Sequence, residues 1–218
     1  MAEQLLKIER DNYANPPRQA QQKAVQGLRG GAVVLIVAAF ENFLRQVFEE
    51  HLSELTTHPP VTFDKLPEKM RTNCVYLSLD RAMKGPPFQE PPPRLQRLPE
   101  IDRACHMLAS QIVNPTVFSD TGSNPNSKTV KLMFSNVGIE KIFEVIKDRF
   151  ENQWQTQVAH SFIPDKLDEI IRRRNVVAHT ADALNITRSD LNESIKFLKT
   201  LANLLDLELK KLVEGIKR

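Results

Sequence analysis

Leu167-Asp168-Glu169-Ile170-Ile171-Arg172-Arg173-Arg174-Asn175-Val176-Val177-Ala178-His179 reads as one helix. Leu167, Ile170, Ile171, Val177 and Ala178 recur at helical spacing and predict the inward stripe. Arg174 stands in the middle of that stripe, three and four residues from Ile171 and Ile170, and from Val177 and Ala178. Arginine keeps its proton and is costly to bury alone. Arg174 must therefore meet an acid, snorkel outward, or face a cleft or a subunit interface. Asn175 and His179 are four apart and share a face, where an amide can hydrogen-bond an imidazole and set its tautomer. Arg174 and His179 are five apart, about 140° around a straight helix. They converge only if the helix bends near Ala178, the arginine wraps, or two copies meet. A blander reading also fits: residues 172–174 form a solvated face near a helix C-terminus, where the dipole favours cations, and His179 is structural.

Outward from this segment the pattern stays helical. Residues 18–29 predict a polar, Gln-rich helix, and Gly30-Gly31 either ends it or lies inside a longer one. Residues 32–55 predict a long helix. Its first part (Val33, Val34, Leu35, Ile36, Val37) is apolar all round and needs cover on all sides, by other helices or a second subunit. Its second part is amphipathic, with Phe40, Phe43, Leu44, Val47, Phe48 and Leu52 on one stripe. Nine of the 14 prolines fall in residues 58–99, which reads as a loop-rich insertion holding one helix over 65–83. Further helices are predicted over 98–113, 127–136, 139–150, from Pro164 to about 180, and 187–216. Gly138 is the stop of the 127–136 helix. Thr187 and Asp190 have capping-box spacing. Leu191, Ile195, Leu198, Ala202, Leu205, Leu209 and Leu212 line the last helix. Strand-like alternation is missing. The expected fold is an all-α bundle forming a single domain over 1–218, with the proline-rich segment inserted in it.

Composition narrows the chemistry. With 218 residues, 41% hydrophobic and 26% charged, the chain is a globular protein. A net charge of +3 permits a nucleic-acid partner without demanding one. Seven glycines leave little for phosphate loops or dinucleotide turns. Cys74 and Cys105 form no CxxC, and His51, His58, His106, His160 and His179 form no HExxH, so neither a metal nor another cofactor is expected. The polar start and an apolar run of only 32–40, short of the about 20 residues of a membrane span, predict a cytoplasmic protein without a membrane partner.

The string Arg174-Asn175-Val176-Val177-Ala178-His179 resembles the RNxxxH form of the Rx4–6H motif of the HEPN superfamily, late in a helical chain and followed by a long closing helix. Ala38-Ala39-Phe40-Glu41-Asn42-Phe43 resembles the leading helix of the RiboL-PSP-HEPN group and its MAE-type relatives. Asn124-Pro125-Asn126-Ser127 through Gly138-Ile139 resembles the turn and short helix those families carry before the motif. The resemblance covers roughly residues 20–215. It implies a metal-independent endoribonuclease, in many relatives a toxin of toxin–antitoxin or phage-defence systems, with RNA as substrate and an antitoxin protein as a further partner. His179 would handle the proton of a ribose 2′-hydroxyl or of the leaving oxygen. Arg174 would clamp the phosphate, and Asn175 would position His179 or the substrate. It also implies a homodimer whose motif helices line one cleft, with Arg172 and Arg173 as phosphate contacts at the rim. Glu41 would pair with Arg174, or with Arg45 four residues on.

Two other readings stand beside this one. A HEPN domain can serve as a dimerising or RNA-binding module without cleavage. The prolines from Pro86 to Pro93 can also serve as a polyproline-type ligand of a helical adaptor.

Overall fold

The computed structural model describes residues 1–57, 59–85, 90–110, 113–122, 124–180 and 186–218, without the side chains of Leu108, Ser110 and Thr180. His58 and residues 86–89 of the adaptor segment lie outside the described residues. Helices run over Ala2–Asn12 (α1), Gln22–Ser53 (α2), Glu68–Lys84 (α3), Arg94–Cys105 (α4), Met107–Ser110 (α5), Ser127–Asn136 (α6), Ile142–Trp154 (α7), Phe162–Thr180 (α8) and Arg188–Lys217 (α9). No strand occurs among the described residues. The all-α expectation holds. The described residues sort into two compact units, to both of which α2, α7 and α9 contribute.

The first unit comprises Met1–Phe43, Asn124–Ser127 and Lys147–Leu204. The polar start forms a helix of its own, α1, where the sequence pattern predicts none. Leu6 and Glu9 of this helix are buried and Ala2 and Leu5 half-buried, a short stripe at helical spacing that ends on an acid. Gly30 and Gly31 lie inside α2. A Cβ on Gly30 would stand 3.0 Å from Val177 Cγ1, so the glycine permits the close approach of α2 and α8. Val33, Ile36, Val37, Phe40, Leu167, Ile170 and Ile171 are buried, while Ala38 and Ala39 are exposed and Val34 and Leu35 half-buried. The apolar part of α2 expected to need cover on all sides, Val33 to Val37, is thus buried on one side and half-buried at Val34 and Leu35 on the other. With its flanking turns, Gln19–Thr56, α2 is long and apolar enough to cross a membrane, a test that the core helix of a soluble protein also passes. Phe150, Trp154, Phe162 and Phe197 form an aromatic cluster with centroids 5.4–6.3 Å apart. α7 therefore extends to Trp154, past the predicted end at 150.

The second unit comprises Leu44–Ser123, Lys128–Ile146 and Leu205–Arg218. Phe48 and Phe134 meet edge-on at 5.1 Å. Gly138, at φ 101°, ends α6 as predicted: Ile139 N donates to Phe134 O at 2.9 Å and Gly138 N to Ser135 O at 3.0 Å. Ile139 is consumed by this cap, so α7 starts at Ile142 rather than 139. α4 begins at Arg94, earlier than predicted, and accommodates Pro99 within it. A proline there forfeits one backbone hydrogen bond, a smaller loss than ending the helix. His51 Nε2 lies 2.6 Å from Asp206 Oδ1. Burial pushes the Cys74 thiol up, which keeps it a protonated, inert core side chain.

The ends of the first unit meet at one carboxylate. Glu9 has no exposed surface and receives Arg29 Nη2 at 2.6 Å and Nε at 3.1 Å on Oε1, and Arg188 Nε at 2.8 Å on Oε2. Burial acts to raise the Glu9 carboxyl. Hydrogen bonds and charge from Arg188 and Arg29 outweigh it and hold the group below its ordinary value. Stabilisation from this group is full above the unfolded value of about 4.3 and is lost as pH falls through the lower folded value. Glu9→Gln should lower the unfolding free energy by about 3 kcal/mol at neutral pH in urea melts. The gap to the parent protein should close in acid; a gap constant down to strong acid would show that the carboxylate charge is not its source.

Candidate active site

The site is built on α8. Asp165 N donates to Ser161 O at 2.9 Å in the first turn, beside Pro164 as the sequence predicts. Asp168 accepts from Ser127 N and Ser127 Oγ, both at 2.7 Å, which ties α8 to the Asn124–Ser127 turn. Lys166 Nζ lies 3.2 Å from Glu169 and 3.0 Å from Glu193. Burial acts to lower this ammonium, but hydrogen bonds to Glu193 and Glu169 prevail and raise it. α9 opens on the Thr187–Asp190 box: Thr187 N reaches Asp190 Oδ2 at 2.9 Å, and Asp190 N reaches Thr187 Oγ1 at 3.1 Å. The hydroxyl of Thr187, which also donates to that carboxylate, is the chief cause holding Asp190 below its ordinary value.

The three consecutive arginines have three environments. Arg172 is exposed and has no hydrogen bond or ion pair among the described residues. Arg173 is engaged by Glu169 and lies 3.6 Å from Asp190. Of the two arginines expected at a rim, one is therefore committed to carboxylates of its own unit. Glu169 stands four residues before Arg173, a pairing the sequence carried but the rim assignment overlooked. Arg174 takes the first of its three open routes, an acid: Nη2 lies 3.8 Å from Glu41 Oε2, with side chains 20% and 16% exposed. Arg45, the alternative partner of Glu41, donates Nε to Thr121 Oγ1 at 3.1 Å.

Asn175 sits beside Arg174 rather than His179. Its Oδ1 accepts from Arg174 Nη1 at 3.0 Å. His179 is exposed and makes no hydrogen bond or ion pair with a described residue. The inward stripe also ends earlier than predicted. Leu167, Ile170 and Ile171 are buried, Val177 is half-buried against Gly30, and Ala178 is exposed. In its last turn the helix has left the packed layer, and Ala178 falls on the outer side.

Chemically, the arrangement offers an oriented guanidinium and an exposed imidazole on one helix. Among the described residues Arg174 spends one N–H on Asn175, and the fork that matches phosphate oxygens stays available. Imidazole is the side chain suited to move a proton near neutral pH. No three His, Cys, Asp or Glu side chains among the described residues are placed to hold a metal ion.

A sequence profile of the RiboL-PSP-HEPN family matches residues 2–211. Neither a search of curated proteins nor one of solved structures gives a match. HEPN domains have ribonuclease-type or RNA-binding function, and they often dimerise. With nearly its whole length matched, the chain belongs to the RiboL-PSP-HEPN family.

Proposed function

We propose that this protein is a metal-independent endoribonuclease acting as a toxin in a toxin–antitoxin or phage-defence system. The observation that supports this most is Arg174, half-buried and oriented by Glu41 and Asn175, on the same helix as the exposed His179. In the proposed reaction the ribose 2′-oxygen attacks the adjacent phosphorus and the bond to the 5′-oxygen breaks. The products are a 2′,3′-cyclic phosphate and a free 5′-hydroxyl. His179 takes the 2′-hydroxyl proton or supplies one to the leaving oxygen. Arg174 holds the non-bridging oxygens as charge grows on them. Asn175 acts as a positioning residue through Arg174. Two chains related by a two-fold axis would bring two copies of α8 to one cleft, which removes the need for Arg174 and His179 of one chain to converge. Arg172 contributes a phosphate contact at the rim. RNA is the substrate because the attacking group is the 2′-hydroxyl.

A second reading, an RNA-binding or dimerising module without cleavage, draws on a specific observation. Glu41 offsets the Arg174 charge, and no described residue holds His179 in a chosen tautomer. Incubation of the purified protein with RNA in EDTA separates the two. Cleavage should proceed, stop short of DNA, and fall about a hundredfold or more in His179→Ala and in Arg174→Ala. RNA binding with no cleavage by the parent protein would favour the module. Equal cleavage by parent and His179→Ala would remove His179 from the mechanism.

Arg172→Ala should instead weaken RNA binding and reduce the salt slope of affinity by about one, with the rate of bound RNA changed little. Titrations at several salt concentrations read this directly. Sedimentation should give twice the 24.9 kDa chain mass. Expression of the parent protein should arrest growth of the host, and Arg174→Ala should relieve the arrest. Unimpaired growth with soluble, RNA-cleaving protein would count against the toxin role.

A further inference from the structure

Within the second unit, a cavity of about 500 Å³ opens between α3, α4 and the turn Pro115–Phe118. Its size is that of a small-molecule site. Three arginines line it, Arg81, Arg97 and Arg103, against one carboxylate, Glu100. Both oxygens of Glu100 are taken by Arg103 Nη1, at 3.0 and 2.9 Å. Arg81 Nη1 donates to Thr116 O at 3.0 Å, and Arg97 Nη1 to Met83 O. Each of these bonds spends one nitrogen and fixes the side chain, leaving other N–H groups of the same fork for a ligand.

The rest of the lining has a different character. Ala82, Ala104, Met107 and Val113 are buried apolar side chains. Beside them Asn114 Nδ2 donates to Ser78 Oγ at 3.3 Å, and Asn114 Oδ1 accepts from Thr116 Oγ1 at 2.9 Å. This leaves the amide one further N–H. The wall at the end of α3 depends on Gly85, at φ 87°, where a Cβ would stand 2.9 Å from Pro91.

These features exclude simple ligands. Inorganic phosphate would satisfy the guanidinium groups and leave the apolar floor wet. A neutral apolar molecule would cover the floor and leave the N–H groups that half-buried Arg81 and Arg97 turn toward the cavity without an acceptor, a costly outcome. The ligand needs an anionic head, a compact body with apolar faces, and polar edges for Asn114 and Ser78. Guanidinium groups match phosphate in forks and stack on flat aromatic systems. We infer that this cavity is a binding site for a nucleoside monophosphate, with the phosphate on the arginines and the base over Ala82, Ala104 and Met107. The inference is independent of the ribonuclease reading, since none of these residues belongs to α8.

Calorimetric titration of the full chain with AMP, GMP, CMP and UMP tests it, with adenosine and inorganic phosphate as the two halves of the ligand. At least one nucleotide should saturate below millimolar concentration, and neither half should. Arg97→Ala and Arg103→Glu should each weaken binding about tenfold or more, while Lys84→Ala, outside the lining, should not. Unchanged thermal midpoints would show that the variants fold; Arg103 is exposed, so its replacement spares the core even if Arg97→Ala does not. A 5′-phosphorylated RNA oligomer that displaces the nucleotide would identify a strand end as the natural source, and one that fails to would identify the free nucleotide. The inference is overturned if no nucleotide saturates, if phosphate alone binds as tightly, or if a folded Arg103→Glu binds like the parent.

Discussion

Glu9 is a carboxylate with no exposed surface, and removing it from water costs several kcal/mol before any partner is counted. It persists because Arg29 and Arg188 occupy both of its oxygens. Each arginine then has nitrogen left to bind a backbone carbonyl: Arg29 Nη1 reaches Ile186 at 3.1 Å, and Arg188 Nη2 reaches Tyr13 at 3.2 Å. The end of α1, the second turn of α2 and the start of α9 thus share one charge-balanced junction. α9 begins two residues after Ile186, and Asp190 in its first turn faces Arg173 of α8. The motif helix inherits its placement from a salt bridge whose central member is far from it in sequence.

Successive helical positions differ by 100°, so three adjacent arginines cannot share one environment. Arg173 points to the carboxylates of Glu169 and Asp190, Arg172 to solvent, and Arg174 to Glu41 on α2. A net charge of +3 over the chain says little about such a cluster. Neutralisation of Arg173 leaves Arg172 as the exposed charge of the three and Arg174 as one partly offset by Glu41. Electrostatic steering of RNA would then fall on Arg172, and stabilisation of a reacting phosphate on Arg174.

Local signals carried most of the fold. The apolar stripes of α2 and α9, the first two turns of the α8 stripe, the Gly138 stop and the Thr187–Asp190 box depend on neighbours three or four residues apart, and these are present. What the sequence hid is non-local. α1 buries Leu6 and an acid, so its pattern looks like solvent-facing chain until Arg29 and Arg188 are placed beside it. Gly30 can be read as a helix stop or as a helix-interior residue until Val177 is seen against it. The site shows the same division. The Arg174–Glu41 proximity is one of two alternatives, implied by the family resemblance and set beside an i,i+4 pairing with Arg45, whereas Asn175, which can reach the imidazole four residues on, instead serves the guanidinium next to it.

The distance between Arg174 and Glu41 bears on what Arg174 can still do. At 3.8 Å it exceeds the length of an N–H···O hydrogen bond, so this contact is electrostatic and consumes no donor. The only hydrogen bond Arg174 makes among the described residues is the one to Asn175. A buried bidentate pair would have used the whole fork and left a phosphate to displace a carboxylate, at the cost of an unpaired buried charge. Here the carboxylate biases the orientation of the guanidinium and lowers its field without occupying it. A dianionic phosphorane offers more charge than a ground-state phosphodiester. A guanidinium held in this way gains most when that charge develops, which is the condition for stabilising a transition state rather than a bound strand.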